Sequence, residues 1–226
     1  MAPTYFRREP GIDAPTAIAA PHFALLLPRL MIHSPSVADA KAAIRREALA
    51  RRDALAADMR AAAAQAIAGR PFPVAVPPDA IVSGFMPMKS EINPIPLMRK
   101  LADAGVQLAL PAVAGRGKPL TMRAFRFGET LASGVWGIRE PKPDAPEVLP
   151  DILIVPLLAF DRSGHRIGYG AGYYDMTLAA LRERKTIVAA GIAFAAQEIA
   201  SVPKTPRDAR LDLVLTEREV IDLRAT

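Results

Sequence analysis

Cysteine is absent from this chain of 226 residues. That excludes disulfides, thiolate metal sites and a cysteine nucleophile, and it suits a cytoplasmic protein. No run of about 18 apolar residues occurs, so no membrane-spanning helix is expected. Aromatic residues are scarce, at 6%, with a single tryptophan. Nucleic-acid modules usually interleave basic residues with exposed aromatics, so a nucleic-acid partner is not expected either. Apolar residues reach 51% and charged residues 23%, the balance of a globular domain with a real core. Lysine and arginine number 29 against 23 acids, a net charge of +6. Such a balance suits an anionic partner, and it equally suits a solvated basic surface.

Residues 1–35 differ from the rest. They carry scattered prolines (Pro3, Pro10, Pro15, Pro21, Pro28) and no sustained period. The apolar stretch from Ala17 to Leu27 follows Arg7 and Arg8, but Glu9, Asp13 and Pro21 argue against a signal peptide. An extension without regular structure is expected there, followed by one domain over residues 36–226.

Ser36-Val37-Ala38-Asp39 has the spacing of a capping box. One long alanine-rich helix is expected from Ala38 to Ala68, ended by Gly69 and Pro71. Strands are expected at Ile81–Met86, Val106–Val113, Thr121–Phe127, Ile152–Phe160, Thr186–Phe194 and Asp212–Thr216, with helices at Pro96–Ala104 and Gly172–Glu183. Alternating strands and helices predict an α/β fold, a three-layer α/β/α sandwich around a mostly parallel, Rossmann-like sheet.

The segment from Pro156 to Asp175 carries the chemistry. A buried strand runs into a loop with four glycines, Gly164, Gly168, Gly170 and Gly172, and the loop opens a helix. Glycines let backbone amides approach phosphate oxygens, and the helix start offers its positive end. Arg166 could pair with a phosphate, and Asp175 could hold magnesium. Gly168-Tyr169-Gly170-Ala171-Gly172 is neither GxGxxG nor a Walker sequence. On glycines alone, phosphate binding and a tight turn are equally open, and an acid in a first helical turn is favoured without a metal. Lys41 and Arg45 lie four apart on one helix face. Arg46, Arg51 and Arg52 make that helix basic throughout, so a solvated face is the competing reading.

The stretch from Leu153 to Asp175 resembles the signature of the 5-formyltetrahydrofolate cyclo-ligases: an apolar strand, a proline, Phe-Asp, then Gly-x-Arg-hydrophobic-Gly-x-Gly-x-Gly-Tyr-Tyr-Asp. Lys41-Ala42-Ala43-Ile44-Arg45 resembles the family's opening helix, and Met86-Pro87-Met88-Lys89-Ser90-Glu91 its first strand ending in an acid. Trp136-Gly137-Ile138-Arg139-Glu140-Pro141 and Gly191–Gln197, with Pro203 and Pro206-Arg207-Asp208, resemble its later segments. Ala171 stands where the family often has glycine or lysine. Pro206-Arg207-Asp208 stands where a His-Asp pair is frequent.

The resemblance implies conversion of 5-formyltetrahydrofolate to 5,10-methenyltetrahydrofolate, with ATP going to ADP and phosphate. It implies ATP binding by Lys41, Ala42, Ala43, Ile44 and Arg45 and by Arg166, Ile167, Gly168, Tyr169, Gly170, Ala171, Gly172, Tyr173 and Tyr174. Folate would meet Met86, Glu91, Trp136, Tyr169, Gly170 and Tyr173. Arg166 and Tyr173 would be catalytic, and Asp175 and Asp208 would hold Mg2+. A monomer acting on small molecules is expected. The rival readings are another ATP-using enzyme of this fold and a catalytically silent relative that binds nucleotide or nucleic acid.

Overall fold

The computed structural model describes residues 36–224, with Met1 and Thr4. The expectation for residues 1–35 otherwise falls outside the described residues. Helix α1 (Val37–Asp53) starts as its capping box dictates: Ser36 Oγ accepts from the Asp39 amide at 3.2 Å, and Asp39 accepts from the Ser36 amide at 3.3 Å.

The helix does not run on to Ala68. Ala56 takes an extended conformation (ψ 148°), and α2 (Ala57–Gly69) begins after it. No glycine or proline marks the break. Its cause is tertiary, because the two halves serve different clusters. Ala48 of α1 packs with Leu158, Ala159 and Ile167, while Ala63, Ala64 and Ile67 of α2 pack under the sheet. A straight helix of that length would span about 46 Å at 1.5 Å per residue and could not reach both.

There follow β1 (Ile81–Ser83), α3 (Ile95–Asp103), β2 (Gln107–Ala112), β3 (Thr121–Phe125), β4 (Ala132–Ser133), β5 (Arg139–Glu140) and β6 (Ile152–Pro156). After these come β7 (Ala159–Phe160), β8 (Arg166–Ile167), α4 (Tyr173–Arg182), β9 (Val188–Ile192), β10 (Leu213–Leu215) and β11 (Val220–Asp222). The expected strand Ile152–Phe160 is two strands: β6 ends at Pro156, and β7 pairs antiparallel with β8 instead of joining the main sheet.

The main sheet has seven strands in the order β11-β10-β9-β6-β1-β2-β3. Its five inner strands are parallel, and β3 and β11 are antiparallel edges. Strand β6 shows why such strands are apolar throughout. Ile152 and Ile154 face the cluster built with α2 and α3, whereas Leu153 and Val155 face Leu178 and Leu181 of α4. Helices on both faces make the three-layer α/β/α fold. Outside β3, residues 145–148 lie along the edge: the Ala124 amide donates to Pro146 O at 2.8 Å, and the Val148 amide to Met122 O at 2.8 Å.

From β1 the chain crosses through α3 to β2 on one side, and from β6 through α4 to β9 on the other. The neighbours β1 and β6 therefore form a topological switch point, and sheets of this kind take ligands at the carboxyl ends of such strands.

Candidate functional site

Beyond β1 the chain continues through Met86 to Glu91; beyond β6 it turns through β7 and β8 into the glycine-rich loop. Asp161 shapes that turn. It is buried; one carboxylate oxygen accepts from the Ser163 amide, the Ser163 hydroxyl and the His165 amide, and the other from the Val202 amide at 2.8 Å. Burial alone would raise this carboxyl, but those bonds outweigh it and hold it below the usual range. The Phe-Asp pair of the motif is thus architectural. Gln197 plays a similar part, donating to Leu157 O and Leu158 O at the end of β6.

Helix α1 lies over this turn and delivers its cations to the loop. Arg45 Nε donates to Gly168 O at 2.9 Å. Gly170 has φ 103°, and a Cβ there would come within 3.3 Å of the Arg45 guanidinium carbon. The positive φ is what favours glycine here, and the Arg45 contact leaves little room for a side chain besides. Lys41 Nζ donates to both Asp208 oxygens at 2.6 Å. Burial pushes the Asp208 carboxyl up, but the bonds from Lys41 and the Thr205 amide outweigh it and hold it below its ordinary value. The solvated-face reading applies to Arg46 and Arg51, which are exposed, and not to Lys41 and Arg45.

Arg166 is buried. It donates to Asp175 Oδ1 at 2.9 Å and to the Ala209 carbonyl. The same Asp175 oxygen accepts from the Ala209 amide at 3.0 Å. Burial disfavours the Arg166 charge, and Asp175 and, more weakly, Asp208 oppose it. Both acids therefore sit near one guanidinium, and the residue after Asp208 touches Asp175. Among the described residues, no group of three or more histidines or acids is placed to hold a metal ion alone. Helix α4 opens on Gly172 (φ 72°), which offers no side-chain cap.

Glu91 is 8% exposed, and its Oε2 accepts from the Met88 amide at 2.8 Å. Burial raises its carboxyl above the ordinary glutamate value, against the Met88 amide, the Arg52 charge and Tyr169. Trp136 lies on a short turn with φ 59°, is 68% exposed and stands 6.1 Å from the Tyr173 ring. Lys89 has φ 51°, so both non-glycine residues with positive φ among those described sit beside expected folate contacts. Met86 is half-buried against the α2/α3 cluster. Ile44 and Ile167 pack with Ala48 in the core. Tyr174, in the first turn of α4, packs against the Leu178 and Leu181 cluster, and burial raises its phenol far above the ordinary value.

One residue escaped the sequence reading. Arg52, counted there with the solvated cations, is 1% exposed. It donates from Nε to Ser90 Oγ at 3.0 Å and from a terminal nitrogen to the Tyr169 hydroxyl at 2.6 Å. The spacing Lys41, Arg45, Ala48, Arg52 is a continuous inner stripe of a helix, and that signal was available.

A doubly wound sheet whose switch point gathers a glycine-rich loop, inward cations and acids defines an α/β protein with a candidate ligand site at its carboxyl strand ends. Comparison with known proteins makes this specific. The family described as the 5-formyltetrahydrofolate cyclo-ligase family matches residues 37–217. A protein of that name from Mycolicibacterium smegmatis is 34% identical over 152 residues, covering 63% of this chain and 77% of the relative. Another from Escherichia coli is 34% identical over 145 residues, covering 62% and 79%. The solution structure of Aquifex aeolicus 5,10-methenyltetrahydrofolate synthetase superposes with TM-score 0.68 at 27% identity, over 81% of this chain and 93% of that one. The Mycoplasma pneumoniae synthetase shares the fold, with TM-score 0.61 at 21% identity, over 78% and 98%. This chain belongs to the 5-formyltetrahydrofolate cyclo-ligase family.

Proposed function

We propose that the chain converts 5-formyltetrahydrofolate to 5,10-methenyltetrahydrofolate with ATP as co-substrate, acting as a monomer in the cytoplasm. A formamide oxygen is a poor leaving group. Phosphorylating it gives an iminium phosphate, N10 attacks the formyl carbon, and phosphate leaves with the former formyl oxygen. Such chemistry asks the protein mainly for positioning and charge neutralisation. The observation that carries the reading is the meeting of two unlike halves. Arg45 holds the glycine-rich loop at Gly168, and Tyr169 of that loop reaches Arg52 and the segment of Glu91.

In this reading Lys41, Arg45 and Arg166 face the phosphates, with the loop amides and the uncapped start of α4 beside them. Glu91 accepts hydrogen bonds from the pterin nitrogens, and Trp136 and Tyr173 flank its flat ring. Asp175 and Asp208, which both act on the Arg166 charge, would hold a magnesium ion only with phosphate oxygens and water as its remaining ligands, and with Lys41 turned from Asp208 to the phosphates. When bound, that ion would offset phosphate charge. Lys41, Arg45 and Arg52 turn inward, which suits a small anionic ligand better than a nucleic-acid surface. No helix among the described residues is long and apolar enough to cross a membrane.

Phosphate release from ATP is expected only when 5-formyltetrahydrofolate is present, with the methenyl product appearing in step by absorbance. Release without folate would point to another ATP-using enzyme, and none at all to a silent relative. Chelator is expected to abolish turnover; undiminished turnover would remove Asp175 and Asp208 from a metal role. The single tryptophan supplies a separate check. Being exposed, Trp136 should be quenched and blue-shifted as 5-formyltetrahydrofolate is titrated in. Unchanged emission at saturation would take Trp136 out of the folate wall.

A further inference from the structure

Arg52 is a buried cation whose facing acid, Glu91, lies beyond ion-pair distance. Its terminal nitrogen Nη1 is buried with no hydrogen-bond partner, and among the described residues it forms no ion pair. Burying a guanidinium in this way is costly, so the hydrogen bonds that hold it there matter. The bonds it does make run in two directions. Ser90 precedes Glu91, and Ser90 Oγ also donates to Asp53 at the end of α1. Tyr169 lies between Gly168, which Arg45 holds, and Gly170; its ring centre is 5.7 Å from the Arg52 guanidinium. One planar side chain thus grips the end of the β1 segment and the loop beyond β8.

We propose that Arg52 is a positioning residue that locks the folate-side segment to the glycine-rich loop through Ser90 and Tyr169, so that filling either half of the site strengthens binding at the other. The inference rests on the folate reading of Glu91. A loop already ordered by nucleotide presents Tyr169 to Arg52, and Arg52 then holds Ser90 and Glu91 in place; by linkage the gain is the same in either direction. Arg52 also acts on Glu91 through its charge. The groups that face Glu91 are Arg52 from α1, Tyr169 from the loop, Tyr174 from α4 and the Met88 amide. Of these, only Arg52 is a cation, and it favours the ionised carboxylate against burial.

The test is the factor by which a non-hydrolysable ATP analogue tightens 5-formyltetrahydrofolate binding, measured by titration, together with the pH dependence of the folate Michaelis constant. The wild type is expected to show a factor of about 5 or more, within the common range for coupled sites. Arg52→Gln should bring the factor close to one. It should raise the folate Michaelis constant more than it lowers kcat, and move the acidic limb to higher pH. Arg52→Lys keeps the charge without the planar fork, so the limb should stay while the coupling falls. Ser90→Ala, which keeps the Arg52 charge and its bond to Tyr169 and removes only the acceptor of Nε, should weaken the coupling even if the Arg52 variants fold poorly. Arg51→Gln, on the exposed face, should match the wild type. A factor of one in the wild type, or an unchanged factor in folded Arg52→Gln and Ser90→Ala, overturns the proposal. If Glu91→Gln meanwhile raises the folate Michaelis constant, the folate reading stands and only the coupling role of Arg52 falls.

Discussion

Replacing Glu91 by glutamine is expected to raise the Michaelis constant for 5-formyltetrahydrofolate about 5- to 150-fold, the effect of about 1–3 kcal/mol from a buried polar mismatch. Nucleotide affinity, measured by titration, should stay unchanged. The geometry makes the swap a sharp one. Oε2 of Glu91 is committed to the Met88 amide. A glutamine that keeps its oxygen there must turn its NH2 toward whatever the other carboxylate oxygen served. The pterin presents adjacent nitrogen donors, and a donor facing donors is the mismatch. The same residue sets a pH dependence. Burial raises its carboxyl, so protonation begins above the ordinary glutamate range and removes the acceptor as pH falls. Folate kcat/KM should therefore show an acidic limb in the wild type that Glu91→Gln lacks. Wild-type constants for both substrates in the variant, with the limb retained, would mean that Glu91 is a structural acid beside Lys89.

Asp175→Asn is expected to lower turnover per folded molecule about 100- to 1000-fold, the scale seen when one preorganised electrostatic group is removed from a reacting centre. Read from sequence as a first-turn acid alone, Asp175 should stabilise α4 by only about 0.3–1 kcal/mol. The fold raises that figure, because Asp175 is the ion-pair partner of the buried Arg166 and also accepts from Ala209. Asparagine keeps the one oxygen that accepts both bonds but not the charge that balances Arg166. The stability loss should therefore be about 1–3 kcal/mol, as for a compromised hydrogen bond to a charged group. For a domain of this size each kcal/mol lowers the melting temperature by about 2–4 °C. Calorimetry and phosphate release on the same samples separate the two effects. A lower melting temperature with full activity per folded molecule would leave Asp175 as nothing more than the counterion of Arg166.

Periodicity and composition reached the layers of this fold because β6, β9 and the amphipathic α3 advertise themselves. They did not reach the break at residues 54–56, which no local signal marks and which exists because α1 and α2 pack on different clusters. Nor did they reach β4, β5 and β8, each two residues long, or the edge strand β11. Strands so short are made by their partners rather than by their own composition. At the site, the motifs named Lys41, Asp208, Arg166 and Asp175 one by one, while the pairing of Lys41 with Asp208 and of Arg166 with Asp175 comes from the fold. Arg52 was legible but overlooked. Its charge matched its exposed neighbours, and only its position in the stripe distinguished it.

The strip of chain along β3 bears on how the protein behaves in a crowded solution. A free outer strand is a template on which a second molecule can add its own, the first step toward ordered aggregates. Here the backbone groups of Met122 and Ala124 that face outward are taken up by Val148 and Pro146 of the same chain. Proline there donates nothing further. At the opposite margin β11 is only three residues long, a short foothold for an incoming strand. A sheet of seven strands is thereby closed to growth on one side and offers little on the other.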